Sequence, residues 1–396
     1  LPCCVRVREY HGIIMDSRLD KDSELLLDAL RGLAAFVVLW AHGFELAAGS
    51  AFGWDLSTNS EGWRLARAIL GNANWCVWCF FVISGICIHR SIARGVASAR
   101  FDWWRYGLAR ITRLYPLFLL GLILAVVAWS LGLDFAVEEV KARPWREFGA
   151  SLLNLQIFTT PFPAFAPSWS LSCEVIYYAV WPAVLLAVRG RTSAATLLVM
   201  MGSVLVLAGI LTVWQLKPER GSSALLQGLW TTTALFPLWV TGAAMSSRWE
   251  AFTALITRKV WCLGILICAI GAALSMLMKQ VHLPGYRMDM VAWFSLPGLA
   301  IVLAGGRHLS LGSRPCAEPV CRWLSQFSYP CYILHMPLLL LVQHGLGHLA
   351  ALKGHVFLQT SISFLIVLTL LAVLGPALER FFMRWRSRVL SGETRA

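Results

Sequence analysis

Apolar residues run through this chain in long blocks. Ten of them approach the twenty or so residues an α-helix needs to cross a bilayer. They cover residues 25–48, 73–91, 115–133, 168–188, 194–214, 225–246, 260–278, 290–305, 328–346 and 356–378. The pattern predicts an all-α polytopic membrane protein of about ten transmembrane helices. Its parts are an N-terminal arm (1–24), a ten-helix membrane domain (25–378) and a basic tail (379–396). An even number of crossings puts both termini on one side. That side holds more than twice as many Lys and Arg as the other, so the positive-inside rule makes both termini cytoplasmic. The first run is expected to stay in the membrane: it is too long for a cleaved signal, follows a mixed-charge arm and lacks a small-residue cleavage site.

Composition agrees. At 58% hydrophobic and 14% charged, the chain is too apolar for a soluble domain of 396 residues. The net charge of +13 follows the predicted cytoplasmic loops and tail, so it reads as topology and attraction to lipid headgroups, and a nucleic-acid partner is not expected. Most of the 11 cysteines fall inside spans or on the cytoplasmic side, where they read as small buried hydrophobes. His344 and His348 have a metal-like i, i+4 spacing but no adjacent Glu, and no metal site is expected.

Chemistry is sought where ionisable residues interrupt the spans, because a charge in the bilayer needs a protein or aqueous partner. The first span, LLLDALRGLAAFVVLWAHGFELAA, carries Arg31 and His42. Eleven positions of helix bring them to one face, about 16 Å apart along the axis. Asp28 could pair with Arg31, and Glu45 either orients His42 or marks the outer interface. The loop after span two ends in RYGLARITRLYP, where Arg110 and Arg113 stand beside Tyr115, and Arg90 closes span two. Arginine forks suit phosphate, so Arg110 and Arg113 are read as sites for a phosphorylated cosubstrate, while the other four arginines from Arg90 onward read as positive-inside anchors at the lipid headgroups. In span four, Ser170, Glu174 and Tyr177 or Tyr178 make a polar stripe beside Trp169. Counted from the outer surface, Glu174 and His42 both lie roughly 9 Å deep and could meet. In span nine Ser328, Tyr332 and His335 share a face. The proline-rich and aromatic segment before span four is read as an ordered lid or a partly re-entrant piece over the outer mouth.

Five motifs stand in order on the ten predicted spans: Arg31-x10-His42, FFVISG at 80–85, RITRLYP at 110–116, SWSLSCEVIYYAVWP at 168–182 and SYPCYILHMP at 328–337. Together they resemble the membrane-bound acyltransferase-3 superfamily over nearly the whole chain. The departure is Val175 and Ile176 where polar residues often follow the span-four glutamate. The resemblance implies transfer of an acyl group, most commonly acetyl from acetyl-CoA, onto a hydroxyl of a carbohydrate or glycoconjugate. That is O-acetylation of a cell-envelope polysaccharide, in a multi-pass protein of a bacterial inner (plasma) membrane. The family's motif residues map onto Arg31, His42, Arg110, Arg113 and Glu174; catalysis is then expected of His42, Glu174 and Arg31, and acyl-CoA binding of Arg110, Arg113, Arg90, Tyr115 and Arg31. The acceptor falls to Ser170, Trp169, Tyr178, His335 and Tyr332. On this reading His42 is the general base, Glu174 or Glu45 orients it, and Ser170, Tyr178 or a backbone amide supplies oxyanion donors. A glycan-precursor transporter or flippase is the rival, but the paired broken helices of two repeated halves are missing from the sequence.

Overall fold

The computed structural model describes residues 19–52, 73–98, 100–133, 144–217, 223–280, 285–352 and 355–391. Among these residues there are twelve α-helices and no strand. They are α1 Lys21–Phe52, α2 Asn74–Ala97, α3 Trp103–Ser130, α4 Pro144–Leu152, α5 Trp169–Ala187, α6 Thr192–Leu216, α7 Ala224–Ser247, α8 Trp249–Ala254, α9 Arg258–Gln280, α10 Gly285–Ala304, α11 Ala317–Gly347 and α12 Val356–Ser391. The chain is an all-α polytopic membrane protein, and each of the ten predicted spans falls on one of these helices.

Seven helices are long and apolar enough to cross a membrane, namely α1, α2, α3, α5, α6, α9 and α12, while the apolar part of α10 is the shorter Val291–Ala304. α7 and α11 carry more polar residues along largely buried faces. A helix enclosed by other helices satisfies its polar groups within the protein and need not be apolar towards lipid.

Several helices run well past the apolar blocks. α1 begins inside the predicted arm, α11 starts well before 328 and α12 runs on to Ser391. The apolar run marks only what lipid requires, and the Glu, Arg and Leu that flank it are good helix formers. α3 likewise starts at Trp103. Asp102 caps it by accepting the Arg105 N–H at 3.0 Å, so Arg110 and Arg113 lie on a helix and not in a loop. Most of the predicted arm, residues 1–18, lies outside the described residues.

Two packed groups meet at the site. In one, α1 packs on α11, α12 packs against both, and α3 packs against α11 and α12. In the other, α2 packs on α7, which is flanked by α6 and α10, with α9 against α10. α1 and α5 each contact α2 and so join the groups. The α2–α7 contact is backbone on backbone, because a Cβ on Gly85 would overlap the Trp239 carbonyl and one on Gly242 would overlap that of Val82. The segment read as a lid consists of α4 and two 3-10 turns, Gln156–Phe158 and Ala166–Ser168, with residues 134–143 outside the described set. It is ordered by buried groups: Gln156 donates to the Ser168 carbonyl at 2.9 Å, Glu147 accepts from Arg146 and the Thr160 N–H, and Phe162 and Phe165 enter the core.

Candidate active site

A cavity of about 200 Å³ lies where α1, α2, α3, α5 and α11 converge. Arg31, Arg110, Arg113 and Glu174 line it, with Ser84, Ser170, Tyr178, Ser328 and Tyr332 between them. Three helices, α1, α3 and α5, therefore bring a charged group or more to a single space.

The carboxylate is tied to the far wall. Glu174 Oε2 accepts from Ser84 Oγ at 3.1 Å and from the Tyr178 hydroxyl. Ser84 in turn accepts from Trp239 Nε1 at 3.1 Å, a bond that the close α2–α7 approach permits. Glu174 thus makes its hydrogen bonds within α5 and to α2, and it does not reach His42. The depth estimate placed the two side chains level but took no account of rotation. α5 turns Glu174 towards α2, whereas α1 turns His42 towards α11.

The three arginines are not equivalent. Arg113 Nη1 pairs with Glu379 Oε1 of α12 at 2.6 Å, and its guanidinium lies 5.1 Å from the Tyr329 ring centroid. Arg110 stacks 5.5 Å from the Tyr106 ring, and its buried Nε has no hydrogen-bond partner. Arg31 faces the cavity from α1, and no ion pair with Asp28 is found among the described contacts. A fourth cation, Arg386 of α12, is half-buried and donates from Nε to the Ala109 carbonyl at 3.2 Å. Sequence reading missed both Glu379 and Arg386. They sit beyond the last apolar run, where hydropathy marks no pair.

Two hydroxyls expected to face an oxyanion have their protons engaged elsewhere. Tyr332 donates to the Pro167 carbonyl at 2.9 Å, so its 2.6 Å contact with Ser170 is made by the serine proton. Tyr178 donates to Glu174. Their oxygens remain as acceptors. Tyr115 donates to the Leu152 carbonyl at 3.3 Å and lines a separate apolar cleft of about 220 Å³, which shares Arg110, Leu114 and Tyr178 with the cavity. Arg90 is half-buried on α2 and Trp169 packs on the core, and neither is in the cavity wall.

Beyond the Tyr332 wall stands a pair of histidines. His335, fully buried and with its ring centroid 6.3 Å from that of Tyr332, approaches His42 with Nε2 3.2 Å from His42 Nδ1. The ring centroids are 5.0 Å apart. His42 Nδ1 is also 2.9 Å from the Val38 carbonyl, and His335 Nδ1 lies 3.0 and 2.9 Å from the carbonyls of Cys331 and Tyr332. Elsewhere, His344 and His348 face each other at 3.2 Å in an exposed position, and among the described residues no three His, Cys, Asp or Glu side chains are grouped to hold a metal.

Comparison with curated proteins and with solved structures returns no match. A family model, the acyltransferase domain of the acyltransferase-3 type, matches residues 25–378, which takes in every helix that lines the cavity and both histidines. Its members are acyltransferases, and the chain, a multi-pass membrane enzyme, belongs to this family.

Proposed function

We propose that the protein is an O-acyltransferase that takes an acyl group, acetyl foremost, from cytosolic acyl-CoA and passes it to a hydroxyl of a carbohydrate or glycoconjugate. The bacterial inner membrane is its proposed setting. The observation that carries this reading is the convergence of Arg31, Arg110 and Arg113 on one cavity, with His42 beyond its Tyr332 wall. Arg31 and Arg110 at one end suit the phosphates of coenzyme A, with Arg113 held beside them by Glu379. About 16 Å of α1 separate Arg31 from His42, a distance that an extended pantetheine arm can bridge. His42 then takes the proton of the acceptor hydroxyl as its oxygen attacks the thioester carbonyl. The C–S bond breaks, and the leaving thiolate recovers that proton as free thiol. Glu174, fixed by Ser84 and Tyr178, lies among the arginines and offsets part of their charge, which keeps the cationic end from holding the spent donor too tightly.

The test is thiol release by detergent-purified enzyme with acetyl-CoA and an acceptor glycan. Wild type should release thiol, His42→Ala should not, and Arg110→Ala should raise the donor KM. A wild-type protein that neither binds nor consumes any acyl-CoA refutes the donor assignment.

A further inference from the structure

The sequence points to a carboxylate beside His42, yet the structure sets an imidazole there, His335 of α11. Counting protons along the contact shows what that imidazole does. His335 Nδ1 faces the Cys331 and Tyr332 carbonyls, which only accept, so Nδ1 carries the ring proton and the neutral ring leaves Nε2 as an acceptor. His42 Nδ1 faces the Val38 carbonyl and His335 Nε2, again two acceptors, so Nδ1 carries the proton of that ring too. The opposite tautomer would set three lone pairs against one another. The lone pair of His42 is therefore on Nε2.

Resting on the assignment of His42 as general base, we propose that His335 is its positioning residue. By accepting from Nδ1–H it fixes the tautomer in which Nε2 is basic and holds the ring plane. When Nε2 takes the acceptor's proton, the Nδ1–H bond to His335 becomes charge-assisted and stabilises the imidazolium. His335 does not change protonation state, because its own Nδ1–H ends on two backbone carbonyls. It does for His42 what a carboxylate does in a Ser-His-Asp triad, but as a neutral group fixed by its own helix. Its complete burial and its two carbonyl partners leave the ring no other orientation with equal bonding.

The experiment compares wild type, His42→Ala, His335→Leu and His335→Gln, purified in detergent, by thermal unfolding and by kcat and donor KM for acetyl-CoA. His335→Leu should lower kcat about 100-fold, within the range of general-base catalysis, with donor KM changed less than about twofold. Gln can place Oε1 where Nε2 stood and accept from His42 Nδ1–H, so His335→Gln should recover about a tenfold share of that loss. Equal kcat losses in Leu and Gln, wild-type kcat in both, a parallel rise in donor KM, or failure of both variants to fold each overturn the proposal. His42→Ala that retains activity overturns instead the base assignment on which it rests.

Discussion

The two arginines at the foot of α3 look alike in sequence, and the structure separates them sharply enough to predict opposite phenotypes. Arg113 is bound to Glu379, which is 8% exposed, across 2.6 Å, and the second oxygen of that carboxylate, Oε2, is buried without a partner. Removing Arg113 leaves Glu379 as an uncompensated buried charge. Breaking a buried pair by deleting one member costs about 3–5 kcal/mol, and with Arg113 itself 21% exposed the lower end, about 3 kcal/mol, applies. Arg113→Ala should therefore unfold at clearly lower temperature in detergent. Replacing both members, Arg113→Met with Glu379→Leu, should restore most of the loss, because apolar substitution of an entire buried pair is often neutral. Arg110 has no such partner among the described residues, and its buried Nε makes no hydrogen bond to them. Arg110→Ala should leave stability nearly unchanged and remove one charged hydrogen bond to the donor. That bond contributes about 1.5–3 kcal/mol, or roughly a 10- to 150-fold rise in donor KM. Thermal unfolding of the four proteins beside acetyl-CoA titrations reads both effects. If Arg113→Ala keeps its unfolding temperature and raises donor KM as much as Arg110→Ala, the division between a structural and a ligand arginine is wrong.

Other consequences can be measured in the same preparations. Gly85→Ala drives a methyl onto the Trp239 carbonyl, and the overpacking should cost about 1–3 kcal/mol, visible as a lower unfolding temperature; an unchanged one would mean that α2 and α7 are not in backbone contact. Tyr332→Phe leaves the Pro167 carbonyl and Ser170 without their shared partner, a loss of about 1–3 kcal/mol, and should expose the lid segment to faster hydrogen exchange, which wild-type rates would contradict. Outside the membrane, Lys21 and then Arg322 hold the Glu318 carboxyl below its ordinary value of 4.5. The sign follows: its contribution is present above about pH 4.5 and fades as pH falls through the lowered value, so Glu318→Gln should differ from wild type at neutral pH and converge with it in acid. Reporter fusions at the two ends should both register the cytoplasm, and a periplasmic reading at either would overturn the charge-based orientation.

How much of this was legible in the sequence depends on what each residue had to satisfy alone. A membrane-crossing helix keeps a mostly apolar run of about twenty residues even where its buried face is polar, so the ten runs could be read, and ionisable residues such as Arg31 and Glu174 stood out against them. Partnership is different, because it depends on rotation about neighbouring axes that no single run specifies. Ser84 stood in the sequence only as part of the FFVISG motif, yet it binds Glu174 and Trp239. Glu379 lies past the point where lipid constrains composition, so its bond to Arg113 left no trace in hydropathy. His335 was visible as a buried histidine, but the choice between an imidazole and a carboxylate beside His42 required the α1–α11 interface.

That interface also explains why the two ends of the site need not be tuned separately. Arg31 and His42 are on one helix, so their separation is set by helical rise and cannot drift with loop motion. Gly32, next to Arg31, lies so close to Leu324 that a Cβ there would overlap that residue, and α1 is thereby seated on α11 at its inner end. At the outer end the same two helices meet again through His42 and His335. A slide of α1 along α11 by one residue, about 1.5 Å, would break the histidine contact and move the guanidinium in the same stroke. Under the proposed function, the grip of Arg31 on the donor and the aim of His42 as base are thus one geometric variable, fixed by a glycine contact at one end and an imidazole pair at the other.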